Sequence, residues 1–160
     1  MAALRRLRKE YGDICENPSE RFTLNAWSDS NPDADEIEWL VSMVGPKNTP
    51  YEGGIFKIKI RIPTKYPFEA PCVSFTTKIF HPIAASSGDL CTFCPNKNWR
   101  PSNKIRNVID EVYDALATYT DEQTNICQLN FEVYTQLRND KVKFDEIARE
   151  WTLKYATEQE

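Results

Sequence analysis

The chain has 160 residues, 41% hydrophobic and 28% charged, which fits one globular domain over 1–160 with a core of its own. A net charge of −4 and a pI near 5.2 argue against a general nucleic-acid binder, and no stretch approaches the ~20 apolar residues of a membrane span. The first nine residues lack the apolar core of a signal peptide, so the expected setting is reducing, cytoplasmic or nuclear, with all five cysteines as thiols.

Leu4, Leu7, Tyr11 and Ile14 recur at helical spacing and predict an amphipathic helix over 3–16 that ends near Asn17-Pro18. Arg5, Arg6, Arg8 and Lys9 crowd its first turns, where each misplaced positive charge opposes the helix dipole by about 0.3–1 kcal/mol. Such a face is either solvated surface or a dock for an acidic partner. Phe22–Trp27 reads as an edge strand, 28–35 as an acidic loop, and Glu38–Val44 as a mostly apolar strand closed by Gly45-Pro46. After a turn at 48–54, residues 55–62 alternate Phe56, Ile58, Ile60 and Ile62 against Lys57, Lys59 and Arg61, the pattern of an antiparallel strand with one wet face. Pro63, Pro67 and Pro71 stiffen the next loop before a short strand, Cys72–Phe75.

Beyond Pro101, Ser102 or Asn103 is placed to cap a helix with the stripe Ile105, Val108, Ile109, Val112 and Leu116. Leu129, Val133 and Leu137 predict another helix. Asn139 or Asp140 caps a last one, with Ile147, Trp151 and Tyr155 at four-residue steps. One helix, a run of strands, then further helices is an α+β order.

Residues 78–101 hold the single histidine, two cysteines and almost no helix or strand pattern, and a long irregular segment inside a compact domain is usually functional. Cys91 admits several chemistries. As a hydrolytic nucleophile it needs a base, and His81 is the one imidazole, though without a fixed acidic orienter. The other role for His81 is to hydrogen-bond a backbone carbonyl and shape the loop. Cys91-Thr-Phe-Cys94 is also a C-x-x-C pair, but Pro95 follows where a redox motif starts a helix, and no second pair completes a zinc site.

The order His81-Pro82, Gly88-Asp89-Leu90-Cys91, Trp99-Arg100-Pro101 is similar to the active-site segment of the ubiquitin-conjugating enzymes. So are Gly45-Pro46, Tyr51-Glu-Gly-Gly54, Tyr66-Pro-Phe-Glu-Ala-Pro71 and the ending Ile147–Ala156. The resemblance covers nearly the whole chain and is weakest over 28–36 and 118–130. It implies a UBC-like α+β fold: an N-terminal helix, a four-stranded antiparallel sheet, then C-terminal helices. It also implies that Cys91, not Cys94, takes ubiquitin or a ubiquitin-like protein from an activating enzyme as a thioester. The cargo then passes to a lysine of a substrate protein or to a ligase cysteine. No cofactor, metal, nucleic acid or membrane is implied, and the expected state is a monomer. Arg5, Arg6 and Lys9 match basic positions that meet the activating enzyme, and Phe68 and Pro101 sit in loops that meet RING or HECT ligases. Thr23 lies near the sheet face that binds a second ubiquitin in some relatives.

Ile83 departs from the family, which has asparagine after His-Pro, and isoleucine has no donor. Losing an oxyanion donor costs about 10²–10³ in rate where its role is electrostatic. Ser86, Ser87, Asn96 or Asn98 is placed to stand in; alternatively the enzyme hands its cargo to a ligase thiolate, which needs less help. A third outcome is a catalytically weak interaction module on the same fold, which Phe93, two residues after Cys91 where the family is polar, also suits. On these grounds Ile83→Asn is expected to speed discharge to lysine more than to thiol. Asp121 and Glu122 fall where the family places an acid that orients the incoming lysine, or they form a solvated turn.

Overall fold

A computed structural model of the chain describes residues 2–28, 36–85, 87–89, 99–117 and 130–157. The elements run α1 (Ala2–Glu16), β1 (Phe22–Ser28), β2 (Glu36–Val44), β3 (Ile55–Pro63), β4 (Cys72–Phe75), α2 (Ile105–Ala117), α3 (Phe131–Asn139) and α4 (Lys141–Tyr155). The four strands form one antiparallel meander in the order β1-β2-β3-β4. This is the UBC-like α+β architecture: N-terminal helix, four-stranded antiparallel sheet, C-terminal helices.

The period-two pattern sets the register. Trp39 faces Ile60, Val41 faces Ile58 and Met43 faces Phe56 across β2 and β3, and all six side chains are buried. Lys57, Lys59 and Arg61 turn to the other face, which stays wet. A slip of one residue would reverse every one of these side chains, so burial of this face holds the pairing. Ile105, Val108, Ile109, Val112 and Leu116 of α2 belong to the same buried cluster, as the stripe requires.

Two helices differ from the sequence expectation. Helix α3 starts at Phe131, because Asn130 takes an extended conformation and its side chain accepts a hydrogen bond from the Val133 N–H. In α4 the buried row is Phe144, Ala148 and Thr152, while Ile147, Trp151 and Tyr155 are half-buried beside it. A polar Thr152 fits the buried row because its hydroxyl donates to the Ala148 carbonyl at 2.8 Å, satisfying the donor inside the helix. Gly54 closes the packing at this end, since a Cβ there would lie 2.7 Å from Thr152 Cγ2.

Candidate functional site

Residues 81–85 and 87–89 form turns between β4 and the end of α2. The N–H of Ile83 donates to His81 Nδ1 at 3.1 Å, and Nε2 lies 3.2 Å from the Ala115 carbonyl of α2. A backbone N–H only donates and a carbonyl only accepts, so His81 is the neutral tautomer with its proton on Nε2. Burial pushes its pKa down to about 3. The Tyr51 ring lies 5.7 Å from the imidazole, and its hydroxyl donates to the Phe80 carbonyl at 2.6 Å. Both ring nitrogens are therefore spent, and no lone pair remains for a thiol. His81 shapes the loop, and the hydrolase-like Cys/His pair is closed.

Pro82 and Ile83 are buried as well, Ile83 to 1% exposure. The Pro82 carbonyl accepts from the Asn130 N–H at 3.1 Å, which ties the turn to the start of α3. Further on, Gly88 donates to the Ala85 carbonyl, Ala85 donates to the Asp89 carbonyl, and the Gly88 carbonyl accepts from Phe75 of β4. Only glycine fits position 88. Its φ is +95°, and a Cβ would sit 2.2 Å from the Phe75 carbonyl oxygen. An isolated bridge between Ser74 and Asp89 completes the anchor. Beside it runs a groove of about 340 Å³ whose lining includes Ile79, Ala85, Ser87, Gly88, Asn130 and Trp151.

A second cluster joins α1, the loop before β4 and the start of α2. Glu10 lies on the buried stripe of α1 with Leu7 and Ile14 and is only 5% exposed. Its carboxylate accepts from the Tyr66 hydroxyl at 2.6 Å, from the Ile105 N–H at 2.8 Å and from Arg6 Nε at 3.1 Å. The first helical N–H of α2 is thus satisfied from another element. The Tyr66 hydroxyl is held protonated well above its usual range, first by burial and then by the Glu10 carboxylate. Trp99 Nε1 donates to the Pro67 carbonyl at 2.7 Å, and its ring lies 5.7 Å from that of Tyr66.

The expected docking residues divide on this framework. Arg5, Lys9, Phe68 and Pro101 are exposed, Phe68 to 77%. Arg6 is half-buried and committed inward: to Glu10, to the Asn103 carbonyl and over the Tyr66 ring at 5.3 Å. Cys91, Asn96, Asn98, Asp121 and Glu122, with Ser86 and Cys94, lie outside the described residues. Glu10, Tyr66 and Asn130 had no part in the sequence reading of the site. The signal for Glu10 was a carboxylate on an otherwise apolar helical stripe.

The family model for ubiquitin-conjugating enzyme matches residues 6–152, from within α1 through the anchored turn to within α4. With that match and this fold, the chain belongs to the ubiquitin-conjugating enzyme family.

Proposed function

We propose that this chain is an active conjugating enzyme, a single catalytic domain over 1–160 that carries ubiquitin or a ubiquitin-like protein as a thioester on Cys91. The Cys91 thiolate attacks the thioester carbonyl offered by the activating enzyme, and the activating-enzyme thiol leaves. A lysine amine then attacks the new thioester, the Cys91 thiolate departs, and the amine gives up a proton as the isopeptide bond forms. Transfer to a ligase cysteine exchanges one thioester for another. No redox step is involved.

The supporting observation is the anchored turn within the matched family segment. Gly88 and Asp89 are tied to β4, and Cys91 follows Asp89 by two residues, a span of at most about 7 Å. Arg5 and Lys9 suit contact with the activating enzyme, and Phe68 and Pro101 suit contact with a ligase, because they are exposed on one linked framework.

The test is incubation with activating enzyme, ATP and modifier, followed by a non-reducing gel. A thiol-sensitive adduct that is lost in Cys91→Ala and kept in Cys94→Ala supports the carrier. Absence of an adduct with any modifier supports the second reading, a binding module, which the missing donor at Ile83 favours.

A further inference from the structure

The groove beside the anchored turn has a polarity that neither the fold nor the carrier reading uses. At about 340 Å³ it has the size of a small-molecule site. Its apolar walls are Phe75 at the end of β4, Ile79 beyond it, Ala85 in the turns and Trp151 of α4, whose ring is half-buried.

The polar groups set among these walls are donors. Asn130 Oδ1 is taken by the Val133 N–H, so Nδ2 keeps two N–H groups, and neither has an acceptor among the described residues. The Thr77 hydroxyl accepts from the Lys57 N–H at 2.9 Å and keeps its own hydrogen. Lys78 is exposed and forms no ion pair among the described residues. Its Nζ lies 5.1 Å from the centroid of the Tyr155 ring, and Lys154 Nζ lies at the same distance from the same ring. Lys154 complements the C-terminal end of α4, but Lys78 has no such reason for its place. No carboxylate lines the groove among the described residues, and the nearby Asp89 accepts from the Ser87 hydroxyl.

An anion in the groove supplies the acceptor that these donors lack. Phosphate sites are commonly built on arginines or on free N–H groups at a helix start. No arginine lines this groove among the described residues, and at the start of α3 an oxygen already takes the Val133 N–H. One ammonium, one amide and one hydroxyl suit the two oxygens of a carboxylate, and the apolar walls suit a flat hydrocarbon.

We propose that this groove binds a small aromatic carboxylate, its charge met by Lys78 with hydrogen bonds from Asn130 Nδ2 and the Thr77 hydroxyl, and its ring set against Ile79 and Trp151. Such a ligand bridges the segment after β4, the turn at 87–89 and the start of α3. The site stands apart from the carrier reading, because no step of thioester transfer enters it.

The test is an NMR titration of the isotope-labelled chain at neutral pH with naphthoate, with naphthamide and inorganic phosphate in parallel. Naphthoate is expected to give saturable shifts of the Asn130 side-chain amide, the Gly88 N–H and the Trp151 indole. Naphthamide keeps the ring and loses the charge, and should bind about tenfold more weakly. Lys78→Gln should weaken naphthoate by about tenfold and leave naphthamide unchanged. Asn130→Ser, which keeps a cap oxygen, should weaken naphthoate by about threefold. Lys65→Gln, at an exposed lysine outside the lining, should change nothing. The inference is overturned if naphthoate gives no saturable shifts in the groove, if naphthamide binds equally well, if Lys78→Gln leaves naphthoate binding unchanged, or if phosphate displaces naphthoate at equal concentration. Should Asn130→Ser lose its dispersed spectrum, the Lys78→Gln comparison decides alone.

Discussion

The phenol of Tyr66 donates a 2.6 Å hydrogen bond to the carboxylate of Glu10, joining the loop before β4 to α1. The same carboxylate takes the first N–H of α2, so one buried acid fixes three segments at once. The loop carrying Phe68 and the segment carrying Pro101 are positioned through this acid and through Trp99, which bonds the Pro67 carbonyl. The exposed Phe68 and Pro101 are thus carried on a buried polar network rather than on the sheet.

Tyr66→Phe removes one donor and leaves the carboxylate with two, which should cost about 1–3 kcal/mol. Glu10→Ala leaves three donors without their acceptor and should cost more. Urea titration of the two single variants and the double variant tests this. Costs that add independently would show that the residues do not act as a unit. The proton on Tyr66 gives a second check. Because its folded pKa is raised, the unfolded chain loses that proton first above about pH 10, and stability should fall as pH rises from there. Tyr66→Phe should flatten that fall.

His81 makes the opposite prediction at acid pH. Its folded pKa is about 3, against an ordinary value of 6.5, so between those values the unfolded chain binds a proton that the native state refuses. Its stabilising contribution is complete above pH 6.5 and is lost as pH falls, at up to about 1.4 kcal/mol per unit. His81 is the only histidine, so its ring resonances need no assignment by mutation. They should hold neutral-form shifts down to about pH 4 while the protein remains folded. Titration near pH 6 would refute the buried tautomer.

The sheet and α2 were legible because their signals are local. Phe56, Ile58, Ile60 and Ile62 alternate, and Ile105 through Leu116 repeat at helical spacing. Glu10 was hidden because its partners lie 56 and 95 residues away, and nothing in the helical pattern announces a distant tyrosine or a distant helix start. Arg6 was read with its neighbours as one basic face, yet the buried acid one turn on draws it inward. Asn130 was absorbed into a helix pattern begun at Leu129; its extended backbone, which makes it the cap, is set by contact with Pro82. The family motifs pointed to thioester chemistry at Cys91, which lies outside the described residues.

The basic helix should therefore split by substitution. Arg5→Ala and Lys9→Ala touch exposed groups and should leave Tm nearly unchanged while slowing loading by the activating enzyme. Arg6→Ala should cost about 1–2 kcal/mol, because it strips Glu10 and the Asn103 carbonyl of a donor. Phe68→Ala, at 77% exposure, should be thermally silent and reduce only ligase-stimulated discharge. Calorimetry beside loading and ligase assays distinguishes the cases; a Tm drop in Phe68→Ala would place that ring in the fold rather than on the docking surface.

Ile83→Asn is the sharpest test of how this chain works without the usual asparagine. From sequence alone the substitution should restore a donor and speed lysine discharge. Position 83, however, is 1% exposed and does not line the groove, so a new amide there enters an apolar environment. Lost apolar burial and an unpaired amide together should cost about 3–5 kcal/mol, whereas Ile83→Val should cost about 0.5–1.5 kcal/mol. Because position 83 is buried away from the groove, the ratio of lysine to thiol discharge in Ile83→Asn should stay within about threefold of wild type, measured well below its Tm. A large selective gain for lysine, without loss of stability, would mean that position 83 faces the chemistry and that its isoleucine suppresses aminolysis.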